Sequence, residues 1–229
     1  MKTCLFDIET GSLPEAYIAH LCPEFKPPAN YKDPAKIAEN LEEQRKTWLE
    51  RGALSALTGR VLAIGTRTEG CTKIIADDDE AVLLIKFWEW VENSVRERRT
   101  IVGFNSNRFD LPFLTRRSWA NNVPVPSGVY AWRGYVNHEC FLDLAQEWQC
   151  GDRMEWVKLD TLCKFLGLPA KNGSGKEFAG LWESDRPKAI AYLENDMAIT
   201  AKVMERLLGI SELSVKPEPL NEVQLDLGY

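Results

Sequence analysis

Short apolar runs and amphipathic stretches alternate along most of the chain. Residues 3–8 (TCLFDI) are apolar and β-prone and predict a strand that ends in the turn-rich stretch 9–14. Residues 60–67 (RVLAIGTR) and 71–76 (CTKIIA) predict two more strands, joined as a hairpin through Glu69-Gly70. Residues 100–104 (TIVGF) predict a buried strand and 140–144 (CFLDL) a last one. Between them the spacing turns helical. Residues 33–52 carry Asp33 as N-cap, Pro34 at the first helical position and Gly52 as the stop. Ile37, Leu41, Trp48 and the stem of Arg45 share a face there, so this helix is read as an insertion beside the sheet. Apolar stripes or start signals also mark helices at 81–95, 110–120 (Pro112 in the first turn), 158–168 (ending at Gly167) and about 187–208, the last capped by Ser184 or Asp185.

Three stretches lack periodicity. Residues 15–33 contain Pro23, Pro27 and Pro28. Residues 121–139 hold Pro124 and Pro126 with Tyr130, Trp132 and Tyr135. Residues 170–178 (AKNGSGKEF) read as a flexible surface loop. The fold class expected is α/β, a mixed sheet flanked by helices. The expected organisation is a single domain over 1–210 with a helical insertion around 15–55, followed by a Pro-containing tail at 211–229.

Composition narrows the picture. With 229 residues, 45% hydrophobic and 27% charged, the chain can bury a sizeable core without staples. The N-terminus (MKTCLFDIET) has no signal-peptide pattern and no stretch reaches membrane-span length, so a cytoplasmic location is expected. Six cysteines with no C-x-x-C pair argue against structural zinc and predict reduced, mostly buried thiols. A net charge of −6 argues against holding nucleic acid by global charge. Arg96, Arg98, Arg99, Arg108, Arg116 and Arg117 do cluster, as a basic patch or as solvated surface.

Three acidic elements stand out. Asp7 and Glu9 are i and i+2 on a strand and share a face. Two carboxylates side by side repel, and a divalent cation resolves that conflict. Asp110 follows a buried strand directly, where α/β sheets place functional groups. Tyr192 and Asp196 are i and i+4 on the final helix, with Leu193, Met197, Ala201 and Met204 as the adjoining apolar stripe. Each alone has a bland reading: a solvated strand end, a helix cap, a chance pair. In this order, on these elements, they form a constellation.

At these residues the chain resembles the DEDD exonuclease superfamily, in its tyrosine-bearing branch. It is most similar to the proofreading exonuclease domain of family B DNA polymerases and its stand-alone relatives. Phe6-Asp7-Ile8-Glu9-Thr10 matches the first motif. Val102 to Leu114, with Asn105, Phe109 and Asp110, is similar to the second, and Tyr192 with Asp196 matches the third. The histidine branch has its histidine where this chain has Ala191. Two features depart from the pattern: the helix at 34–51, and the lack of a polymerase domain after it, so proofreading would act in trans.

The resemblance implies a ribonuclease-H-like fold and 3′–5′ hydrolysis of single-stranded DNA by two Mg²⁺ or Mn²⁺ ions, with RNA hydrolysis or mere nucleic-acid binding as alternatives. Asp7, Glu9 and Asp196 would hold one ion, and Asp7 with Asp110 the other. Two such ions clamp the attacking water and the leaving 3′ oxygen. Tyr192 would orient the water. Leu13 would wedge under the terminal base, and Thr10 and Asn105 would contact the terminal nucleotide. Phe109 would stack or support the fold, with support the preferred role. Arg108, Lys171 and Lys176 are candidate phosphate contacts. Expected partners are DNA 3′ ends and, by analogy, replication or repair proteins. Gly173 to Lys176 is no Walker loop, since Ala170 and Glu177 break the pattern. Asp143 closes a strand and is read as a cap or turn residue in preference to a member of the acidic cluster, Asp160 as a helix-start charge, His138 as a loop histidine, and the Trp88/Trp90 region as core.

Overall fold

A computed structural model describes residues 2–130, 136–152, 154–169 and 175–210, with Lys176 described in its backbone alone. Trp132, Tyr135, Lys171, the Lys176 side chain and the tail from 211 lie outside the described residues. A five-stranded mixed sheet has the order β3-β2-β1-β4-β5. Its strands are β1 (Lys2–Ser12), β2 (Gly59–Thr68), β3 (Cys71–Ile75), β4 (Arg99–Gly103) and β5 (Phe141–Asp143). β1 is central: it pairs antiparallel with β2 and parallel with β4. β2 continues antiparallel to β3, through Glu69 (φ 51°) and Gly70 (φ 79°), the left-handed pair a tight hairpin requires. This is the expected α/β architecture.

Helices cover both faces. On one lie α3 (Glu80–Arg96) and α4 (Asp110–Ala120), closing over Phe6, Ile8, Phe87, Ile101 and Leu111. On the other lie α6 (Leu159–Phe165), α7 (Gly175–Ser184) and α8 (Arg186–Leu208), closing over Leu5, Phe178, Leu193 and Met197. Alternation along β1 therefore sends Phe6 and Ile8 one way and Leu5 the other. Trp88 is buried, and its indole donates to Ser118 Oγ at 2.8 Å, a core role as expected. Gly65 lets β2 pass close under α8: a Cβ there would come to 2.9 Å from Met197 Cγ. Asp33, Asp79 and Asp185 cap α2 (Pro34–Glu50), α3 and α8 by accepting the N–H of Ala35, Ala81 and Lys188.

Several expectations need correction. β1 does not end at Ile8 but runs to Ser12, with a register shift between Glu9 and Thr10. Pairing with β2 overrides the local turn propensity of Thr10-Gly11-Ser12. α2 buries no residue fully, so it does not pack on the sheet. It is tied down by polar contacts instead, Arg45 to Glu15 and Ser12 Oγ to the Leu49 carbonyl. Gly52 is not a left-handed helix stop; a side chain there would strike Ser12 Oγ. α1 (Glu15–Ile18), α5 (Leu144–Gln149) and α7 were not expected; α7 occupies part of the stretch read as loop. All six cysteines are free, but only Cys4 and Cys163 are buried. Among the described residues, no helix is long and apolar enough to cross a membrane.

Candidate active site

Asp7 and Glu9 project from β1 toward the α8 face, and Asp196 meets them from α8. One carboxylate oxygen from each lies within 4.8 Å of the others. Asp196 is fully buried, Glu9 nearly so, and Asp7 half-buried. The reason is local in each case. Period-2 alternation puts Asp7 and Glu9 on one face. The stripe Leu193-Met197-Ala201-Met204, all buried, presses α8 onto the sheet and turns Asp196 inward with it. Three carboxylates so close and so dry oppose one another. An all-oxygen donor set of this kind suits a hard divalent cation. The first turn of α7 lies beside it, for a Cβ on Gly175 would come to 3.8 Å from Glu9 Oε2.

Tyr192 lies one turn before Asp196, with its hydroxyl sealed from solvent. Its ring packs on Phe178, centroids 6.0 Å apart. Burial first, then the charges of Asp196 and Glu9, hold the phenol well above its usual pKa of 10.0. It therefore remains a hydrogen-bond donor and not a base at neutral pH.

Asp110 stands outside the three-carboxylate group. It opens α4, is 4% exposed, and its Oδ1 accepts the N–H of Ile8 at 3.1 Å. Burial first, then the charge of Asp7, raises its carboxyl well above the usual carboxylate range. The turn that delivers it is tight. A Cβ on Gly103 would meet Ser106 Cβ at 2.5 Å, and Asn105 takes φ 60°. Asn tolerates that left-handed conformation better than most residues. Asn105 also accepts the N–H of Phe109 at its carbonyl, at 3.1 Å.

The other candidates fall at the rim or in support. Thr10 donates its hydroxyl to the Ala53 carbonyl at 2.7 Å, and Leu13 donates its N–H to the Thr58 carbonyl at 2.8 Å. The segment they rest on is held from below: Arg117 donates to the Ala56 carbonyl at 3.1 Å while bound to Glu80 at 2.6 Å. Arg117 is therefore structural, as is Arg99, which pairs with Glu97 and Glu69. Arg108 is exposed and Phe109 packs on the α3–α4 core beside Phe113. Asp160 pairs with Lys164, and His138 is an exposed loop residue. Asp143 caps α5, as expected.

Fold and site define a ribonuclease-H-like α/β domain with an acidic cluster between its central strand and its long helix. Residues 67–211 match the family described as predicted 3′–5′ exonucleases related to the exonuclease domain of PolB, and the chain belongs to that family. The matched stretch holds Asp110, Tyr192 and Asp196; Asp7 and Glu9 precede it. An uncharacterized protein of Methanocaldococcus jannaschii is 30% identical over 139 residues, 59% of this chain and 73% of that protein. Among solved structures, the family B DNA polymerase of the hyperthermophilic archaeon Pyrobaculum calidifontis is similar, with a TM-score of 0.59 and 19% identity over 91% of this chain. The chain spans 24% of that polymerase's length, and the likeness is one of fold.

Proposed function

We propose that this chain is a metal-dependent 3′–5′ exonuclease of the tyrosine-bearing type, acting on single-stranded DNA ends, within one domain over 1–210 that carries an insertion at 15–55. The observation that carries the reading is the convergence of Asp7, Glu9 and Asp196, with one oxygen from each inside 4.8 Å. Asp7, Glu9 and Asp196 would hold Mg²⁺ or Mn²⁺, with Asp110 supporting a second ion. When bound, such ions supply a hydroxide-like water at neutral pH and neutralise the departing 3′ oxygen.

The chain's own groups do the rest. The Tyr192 hydroxyl, kept protonated, orients the attacking water. Leu13, Thr10 and Asn105 grip the terminal nucleotide at the end of β1 and the start of the β4–α4 turn. Arg108 meets the phosphate backbone, so binding is salt-sensitive and tolerant of sequence.

The test uses 5′-labelled DNA and RNA oligonucleotides of one sequence, with Mg²⁺ or Mn²⁺ and with chelator. The expected result is a DNA ladder shortening from the 3′ end, abolished by chelation and by Asp7→Ala. Faster shortening of the RNA would transfer the activity to RNA. A ladder that survives Asp7→Ala would overturn the assignment, as would nucleic-acid binding with no turnover in either metal.

A further inference from the structure

Asp143 closes β5 and caps α5, but capping uses only part of its carboxylate. Oδ1 accepts the N–H of Ala145 at 2.9 Å, which is the cap, and also the N–H of Asn105 at 2.7 Å. Oδ2 accepts the N–H of Asn107 at 3.0 Å. Both further donors belong to the turn between β4 and α4, the segment that carries Asp110. A side-chain bond runs alongside, from Asn107 Nδ2 to Gln146 Oε1 at 2.9 Å on α5.

The charge is expensive where it sits. Asp143 is 2% exposed, and burial pushes its carboxyl up from the usual range. It also adds, after burial and Asp7, to the unfavourable field at Asp110. Serine or asparagine would cap α5 without that penalty. What the carboxylate supplies beyond a neutral cap is two acceptor oxygens facing three N–H donors. Two of those donors fix a turn whose Asn105 is left-handed and whose far end must deliver Asp110 to the Ile8 amide, between Asp7 and Glu9.

We infer that Asp143 is a positioning residue of the metal centre: its carboxylate holds the 104–109 turn so that Asp110 reaches β1. This rests on the reading of the acidic cleft as a divalent-cation site. Asp143→Ser keeps the α5 cap and is too short to hold both turn amides. Asp143→Asn keeps one carbonyl oxygen. Asp79→Ala removes the cap of α3, a helix that carries none of the four carboxylates, and serves as a control for lost stability alone.

The measurement is Mn²⁺ binding by calorimetry on the full chain, beside thermal melting. Outer partners of metal ligands typically contribute about 10- to 100-fold in metal affinity. Asp143→Ser should therefore bind Mn²⁺ at least about tenfold more weakly, Asp143→Asn should fall between it and the parent, and Asp79→Ala should bind as the parent does. Wild-type affinity in both Asp143 variants would overturn the inference, as would an equal loss in Asp79→Ala. If Asp143→Ser does not fold, Asp143→Asn decides: weaker binding supports the role and unchanged binding overturns it. A parent chain that binds Mn²⁺ but degrades nothing sinks the exonuclease reading and leaves this inference to the variants. A parent that binds no Mn²⁺ overturns both.

Discussion

The Ile8 amide donates to Oδ1 of Asp110 at 3.1 Å, joining residues 102 positions apart. The bond fastens the start of α4 to β1 at the one residue between Asp7 and Glu9. It also separates what Asp110 does for the fold from what its charge does for the cleft. Asp110→Asn keeps an acceptor for Ile8 and removes the charge. Its metal-free stability should equal or exceed that of the parent, while Mg²⁺-dependent hydrolysis falls on the order of 100-fold. Asp110→Ala strands the Ile8 amide and should cost about 1–3 kcal/mol in denaturant unfolding. Full activity in Asp110→Asn would remove this carboxylate from the centre.

Acidity should stabilise the metal-free protein. Asp110 has its folded pKa raised above the usual carboxylate range, chiefly by burial, and Asp143 is raised in the same direction. The native state therefore holds these protons more tightly than the unfolded chain. That stabilisation is complete below the unfolded pKa and is lost as pH rises through the folded one. Asp77 and Glu97 are lowered by Lys86 and Arg99, but Glu97 is exposed and Asp77 only partly covered, so solvent screens both pairs. In chelator, melting at about pH 8 should come at lower temperature than at about pH 5, and Mn²⁺ should restore it at the higher pH. A metal-free melting temperature that climbs over this range would contradict the account.

Tyr192→Phe removes only the sealed hydroxyl. The ring keeps its contact with Phe178, so melting should change little. Hydrolysis should fall by on the order of 100-fold if that hydroxyl aligns the water. Unchanged turnover in Tyr192→Phe would leave the residue as packing alone.

Gly65→Val tests how far the sheet sets the cleft. A Cβ at this position already comes to 2.9 Å from Met197 Cγ, next to Asp196 in sequence. Overpacking of this kind costs about 1–3 kcal/mol. The variant should melt lower and, at temperatures where it is folded, bind Mn²⁺ more weakly as α8 shifts. Parental Mn²⁺ affinity in the folded variant would show that α8 accommodates the branch elsewhere.

Much of this arrangement can be read from the residue pattern. Period-2 alternation is enough to put Asp7 and Glu9 together, and the stripe around Leu193 and Met197 is enough to turn Asp196 inward. The cap at Asp33 follows from residue type, and for the last helix residue type narrows the cap to Ser184 or Asp185, of which Asp185 is the one used. What cannot be read locally is what depends on distant partners. Thr10-Gly11-Ser12 looks like a turn until β2 offers it a pairing edge. Gly175 to Ser184 looks like loop at its start, yet Phe178 and Trp182 bury into the core and make it a helix. The place of Asp110 depends on the Ile8 amide and, through the turn, on Asp143, bonds with no short-range signature.

The acidic cluster draws on β1 for Asp7 and Glu9 and on α8 for Asp196, the two ends of the described fold. A polypeptide still emerging from the ribosome therefore lacks one of the three carboxylates. The cluster is completed only after α8 has been synthesised and has settled onto a finished sheet.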